Sequence, residues 1–278
     1  MSIIPRLFQL YRDQGIGVVS GLNAMHWNGS RAAPFTWFTR NGKSCTDGLG
    51  IALQELFFLE CLFQDYSPEG LFIIGNSFGW STLAIALLNP RSKVVAIDAG
   101  FGRNTLAGLD LTNQIARAAG LNVVAVRAIS PQDIPSVFAA HFGAPPEFAF
   151  IDGLHTNEQV VLDFRAVKAV AAPNPVFLFH DVHEHNLNRG LAAIQAESGW
   201  SMRKLMATTS GMALVYPPAA ASSLTKTLEV FAPDESLLKI IKGEVWRNSH
   251  PYQARLRRGI SRVRDSLFRP EPRDSSAP

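Results

Sequence analysis

From Leu71 onward, short apolar runs alternate with longer segments whose apolar positions recur every three or four residues. The runs fall at 71–75 (LFIIG), 93–98 (KVVAID), 122–127 (NVVAVR), 147–152 (EFAFID) and 176–181 (VFLFHD). They are rich in aromatic and β-branched residues and lack polar alternation, the pattern of a strand buried on both faces of a parallel sheet. Helical spacing places segments between them at about 80–89, 104–119, 133–142 and 156–172, the last marked by Val160, Val161, Phe164, Val167 and Val170. Asn89-Pro90 and Gly120 are stop signals, and Thr156 with Gln159 three residues on reads as a capping box. Strand, helix, strand at this cadence predicts a parallel sheet with right-handed crossovers. After a helix near 187–197, the segments 202–208 and 211–216 read as a hairpin turning at Thr209-Ser210-Gly211. The expected architecture is α/β: a Rossmann-like, seven-stranded, mostly parallel sheet with one antiparallel strand and helices on both faces.

The flanks read differently. Residues 1–66 show few strand signals, and their clearest element is a helix over 51–66 with Leu53, Leu56, Phe57, Cys61 and Leu62 on one face. The expected division is a helical leader or cap at 1–66, the main domain at 67–217, and a basic helical extension with a disordered tail at 218–278. From Lys239 to the end there are ten Lys/Arg against four acids, so the net charge of +3 conceals a slightly acidic body. Such a tail could meet phosphate or an anionic surface; the plainer expectation is a solvated basic helix over 255–264, with Arg255, Arg258 and Arg262 in helical register, and disorder beyond about 265. Nucleic acid is not expected as a partner, and a homo-oligomer is compatible with the sequence. Cys45 and Cys61 form neither a disulfide framework nor a metal-ligand spacing. No window reaches the roughly 18 uninterrupted apolar residues of a membrane span, and Arg6 and Arg12 break the only N-terminal apolar stretch. A cytoplasmic location is the expectation.

Chemistry concentrates where the strands end. The fourth and fifth runs terminate in Asp152 and Asp181, with His155 and His180 beside them. If the intervening helix sets these strands side by side, two carboxylates and two imidazoles share one rim, as a hard-metal or acid–base site requires. At the first strand–helix junction Gly75-Asn76-Ser77-Phe78-Gly79-Trp80-Ser81-Thr82 offers close backbone approach and free helix-start amides. Asp98 ends the second strand, 23 residues after Gly75, where a carboxylate can accept both hydroxyls of a ribose. The spacing is G-x-x-x-G, so the dinucleotide fingerprint fails, and no Walker lysine is present.

In order, "FIIGNSFGWST", "VVAIDA", "FAFIDGLH" and "FLFHDV" with the closing hairpin resemble class I S-adenosylmethionine-dependent methyltransferases over residues 71 to about 216. Within that class the D-G-x-H and H-D strand ends are most similar to small-molecule O-methyltransferases. The resemblance implies that S-adenosylmethionine lies across Gly75, Asn76, Ser77, Gly79 and Ser81, with Asp98 on its ribose and Ser130 at its adenine edge. It implies metal ligands at Asp152, His180 and Asp181, with magnesium as the expected ion. His180 stands where relatives carry an acid or amide and tilts the preference toward manganese, iron or zinc. His155 would be the general base and Asp152 the group that holds the reacting centre, acting on a hydroxyl of a small molecule, a sugar or a natural-product intermediate among the candidates.

Two other readings stay open on the residues. His180, Asp181, His183 and His185 could hold zinc for a hydrolase, although Leu187 and Asn188 occupy the last two positions of an H-x-H-x-D-H arrangement. A noncatalytic scaffold with a degenerate cofactor pocket is the third class.

Overall fold

The computed structural model describes residues 1–46, 49–251 and 253. The leader holds helix α1 (Ile4–Arg12), strands β1 (Gly17–Val19), β2 (Trp37–Arg40) and β3 (Lys43–Ser44), and helix α2 (Leu53–Asp65). The central alternation follows as β4 (Gly70–Ile74), α3 (Trp80–Leu88), β5 (Lys93–Asp98), α4 (Thr105–Ala119), β6 (Val123–Arg127), α5 (Ile134–His141), β7 (Phe148–Ile151), α6 (Asn157–Lys168) and β8 (Val176–Phe179). Then come α7 (Asn188–Ser198), β9 (Ser201–Leu205), β10 (Met212–Tyr216), α8 (Ala221–Phe231) and α9 (Glu235–Ser249).

The main sheet has seven strands in the order β6-β5-β4-β7-β8-β10-β9. Pairings from β6 to β8 are all parallel, and β10 is antiparallel to both of its neighbours. The last strand in sequence therefore inserts between β8 and β9 and is the one reversed strand, as the closing hairpin predicted. The direction of winding reverses between β4 and β7, which is where ligands bind in open α/β sheets.

Period-two alternation sorts the strand residues onto two cores. Leu71, Ile73, Phe148, Phe150, Val176 and Leu178 face one core, packed by α1 to α4 and α8. Phe72, Ile74, Ala149, Ile151, Phe177 and Phe179 face the other, packed by α5, α6 and α7. Both faces are covered, which is why these strands read as continuous apolar runs. Extending the alternation by one step puts Asp152 and His180 on the α2 side of the sheet, in adjacent register.

Several expectations are modified. The leader is not purely helical: β1, β2 and β3 form a small antiparallel sheet, too short to give a sequence pattern. Residues Met1–Ala232 form one compact unit, since Leu7, Tyr11, Phe58 and Leu224 all enter the same core as the strands. Pro233–Pro278 forms the second unit, in which α9 is capped by Asp234 accepting from the Ser236 amide at 2.7 Å. The helix expected over 255–264 and the disorder expected beyond 265 lie outside the described residues. Thr156 does cap α6, accepting from the Gln159 amide at 3.1 Å, but the Gln159 side chain turns elsewhere instead of closing the box. The turn between β9 and β10 runs from 206 to 211, longer than expected, because Thr208 accepts from the Met212 amide and stops the ladder at Leu205. Among the described residues no helix is long and apolar enough to cross a membrane.

One glycine is obligatory for this geometry. Gly75 has φ +97°, and a Cβ there would lie 1.9 Å from the Asp152 carbonyl oxygen. Gly75→Ala is expected to cost at least about 2 kcal/mol, from backbone strain and overpacking together. Chemical denaturation measures this, and a variant of unchanged stability would show that the crossing of β4 and β7 relaxes freely.

Candidate active site

A cavity of about 890 Å³ opens over the carboxyl ends of β4, β5 and β7. At one end the loop after β4 is fastened by Asp98. Its Oδ2 accepts the amides of Asn76 (3.1 Å) and Ser77 (2.8 Å), and its Oδ1 accepts that of Gly100 (2.9 Å). Ser77 and Gly79 both take positive φ, so the loop curls tightly into α3. Asn76 and Ser81 are buried. The Asn76 amide nitrogen donates to the Ser77 carbonyl and Thr112 Oγ1, both at 3.0 Å, and its oxygen accepts from Thr82 at 3.0 Å. Its side chain therefore shapes the loop, as does its backbone, whose carbonyl accepts the Gly79 amide at 2.6 Å. All seven residues expected to hold a cofactor except Gly79 line the cavity, and Gly79 packs against Thr112 at the loop's far side.

Ser130 lies at the cavity wall with a partner that the sequence reading missed. Its hydroxyl donates to Asp163 Oδ1, and Gln159 Nε2 donates to the same oxygen at 2.7 Å and to the Ser130 carbonyl at 3.2 Å. Asp163 is 1% exposed, and burial raises its carboxyl above the usual range against these bonds. A signal existed: Asp163 falls in the Val160, Phe164, Val167 register, where an acid on the core face of a helix needs a partner.

The leader supplies the third wall, through Arg31, Phe35, Leu49 and Ile51. An aromatic cluster ties it to the loop. Tyr11 donates to the Phe78 carbonyl at 2.7 Å, Trp80 Nε1 donates to the Ile51 carbonyl at 3.1 Å, and Phe38 packs against both rings.

At the cavity floor the four residues expected to share a rim do so. One ligand atom from each of Asp152, His155, His180 and Asp181 falls within 4.8 Å of the others. The acids sit just past the strand tips, Asp181 in the left-handed region at φ 54°. His155 Nε2 is 3.2 Å from Asp152 Oδ1, and its Nδ1 is 3.5 Å from Asp181 Oδ2. Burial works against charge on His155, yet the two carboxylates outweigh it and raise its pKa above the ordinary value. His180 is 5% exposed; burial again opposes charge, and Asp152 and Glu55 raise its pKa well above the usual range. Burial alone would raise Asp152, but the neighbouring imidazoles lower it to about 2.

Glu55, from α2, is the second residue that the sequence reading missed. It is wholly buried: Oε1 accepts the Ser210 amide (2.8 Å) and hydroxyl (2.6 Å), while Oε2 accepts the Ala52 amide (2.9 Å) and faces His180 Nε2 at 3.1 Å. Burial raises its carboxyl, but His180 and the Ser210 bonds outweigh that and hold it below the ordinary value.

The cluster fits a divalent ion. His180 Nδ1 is buried with no well-directed hydrogen bond, although it lies 3.1 Å from an oxygen of both Asp152 and Asp181. A buried nitrogen aimed between two carboxylates is a metal ligand's arrangement, and mixed imidazole and carboxylate donors suit first-row cations. The zinc-hydrolase cluster does not assemble: His183 Nε2 packs on Met206 Sδ at 2.9 Å, and His185 is 3.8 Å from Asp181 and half exposed.

Residues 72–182 match the family described as "Methyltransferase domain". No curated protein matches the chain in sequence. Among solved structures, the O-methyltransferase from Bacillus cereus in complex with SAH is similar at 20% identity and a TM-score of 0.51, covering 60% of this chain and 82% of that one. The O-methyltransferase TomG from Streptomyces achromogenes, solved with SAM, aligns at 12% identity and a TM-score of 0.48 over 78% of this chain and 90% of its own. Residues 72–182 of this chain thus match a methyltransferase domain, and the seven-stranded sheet around them has the fold of the similar O-methyltransferase structure.

Proposed function

We propose that this chain transfers a methyl group from S-adenosylmethionine to a hydroxyl of a small molecule, with a divalent ion at Asp152, His180 and Asp181. The observation that carries the reading is the four-group cluster on the floor of a cavity whose other end is the Asp98-fastened loop. When bound, S-adenosylmethionine supplies an electrophilic methyl group, and the ion supplies Lewis-acid polarisation of the acceptor oxygen. The chain does the rest. Asp98, with three of its roughly four acceptor positions on loop amides, keeps Oδ1 open to a ribose hydroxyl, and the Ser130–Asp163–Gln159 group forms a fixed polar edge for a base. Phe35 and Leu49 add apolar lining to the cavity. His155, one short turn past Asp152, accepts the hydroxyl proton, and the two carboxylates beside it raise its proton affinity. His185, its ring tilted against that of His155 at 4.7 Å between centroids and half exposed, lies beside the base.

The test is a screen of hydroxylated metabolites for S-adenosylhomocysteine release, with and without chelator. Release that depends on one acceptor class and falls in chelator is the expected result. Full activity in chelator would remove the ion from the reading; tight binding of NAD with none of S-adenosylhomocysteine would remove methyl transfer itself.

A further inference from the structure

Glu55 belongs to the leader, outside the matched segment, and yet its carboxylate reaches the back of a site residue. His180 has its two nitrogens in different surroundings. Nε2 meets Glu55 Oε2 and Ser210 Oγ, each at 3.1 Å, while Nδ1 looks toward Asp152 and Asp181. The Ser210 hydroxyl is short to Glu55 Oε1 at 2.6 Å, so its hydrogen goes to the carboxylate and only lone pairs remain for the imidazole. Nε2 thus faces two acceptors and must carry hydrogen. Glu55 cannot turn away, because its own oxygens are held by the Ala52 amide and the Ser210 amide.

We infer that Glu55, positioned by Ser210, fixes His180 with hydrogen on Nε2 and so presents Nδ1 as a nitrogen ligand to a first-row divalent ion at Asp152 and Asp181. This rests on the metal-assisted reading above and deepens it. A histidine ligand that donates its other ring hydrogen to a carboxylate is held in orientation and made more basic. Glu55 is therefore a positioning residue, and the ion it favours is manganese, iron, cobalt or zinc over magnesium, which gains little from imidazole. The closed side of the site is built by the leader and the β9–β10 turn together.

The test uses the full chain with the metal alone. Calorimetric titration with manganese, zinc and magnesium compares the wild type with Glu55→Gln, whose amide must turn a donor toward groups that already donate. Zinc and manganese affinity should fall roughly 10–100-fold, magnesium affinity should change far less, and S-adenosylhomocysteine affinity should not move. Equal zinc affinity in a folded Glu55→Gln would overturn the inference and leave metal-assisted transfer standing. A wild type that binds no divalent ion would overturn both. Should Glu55→Gln fail to fold, nitrogen NMR of the wild-type histidines decides: a His180 Nδ1 resonance displaced by zinc or cadmium supports the inference, and displacement at Nε2, or at neither nitrogen, refutes it.

Discussion

Replacing Asp152 with asparagine should weaken divalent-ion binding by more than roughly 100-fold, since loss of a supporting group alone costs 10–100-fold, and methyl transfer should slow with it. Asp152 Oδ1 lies 3.1 Å from His180 Nδ1 and 3.2 Å from His155 Nε2, so one oxygen organises both imidazoles. Its carboxyl titrates at about 2, despite burial, because the charge of His180 and bonds from both rings outweigh desolvation. It is fully ionised at neutral pH, and asparagine removes that charge while keeping the shape. Titration with the ion alone separates this from a folding defect, which circular dichroism would reveal. An asparagine variant with wild-type affinity would show that the ion, if bound, sits elsewhere.

His155→Ala should lower turnover by about 10²–10⁴ while leaving cofactor affinity nearly intact, the range for loss of a positioned general base. The ring stands between two carboxylates at 3.2 and 3.5 Å, and they raise its proton affinity although burial opposes it. A group so placed accepts a proton strongly at the moment the hydroxyl loses one. Single-turnover rates give the size of the effect, and parallel metal titration gives its meaning. A fall in rate with unchanged ion affinity marks a base; a fall in both marks a fourth ligand. An unchanged rate would remove His155 from the chemistry.

The central sheet was legible because β4, β5, β7 and β8 are buried on both faces and bounded by glycine, proline or a carboxylate, whereas the half-buried edge strand β6 read only from its β-branched run. The rim was legible for a related reason: Asp152 and Asp181 break apolar runs where the chain leaves the sheet. Glu55 and Asp163 were not found, since their partners lie 125 and 33 positions away. Both nevertheless occupy core registers of their helices, Glu55 with Leu59 and Leu62, Asp163 with Phe164 and Val167. An acid in such a register is costly without a partner, so the pattern marks the residue but not what it meets. The leader's small sheet gave no signal because two- to four-residue strands have too few alternations to read.

The interleaving of β10 between β8 and β9 has a bearing on any attempt to shorten this protein. A fragment cut to the recognisable 72–182 stretch would keep the glycine loop, both strand-end acids and both rim histidines. It would also strip β8 of its antiparallel neighbour, leaving a raw apolar edge of the kind that invites aggregation. His180 would lose both acceptors behind it, because one comes from residue 55 and the other from residue 210. The unit to excise is therefore not the stretch that resembles other proteins but Met1–Ala232, in which α1 and α8 share the core and one buried carboxylate locks α2 to the β9–β10 turn.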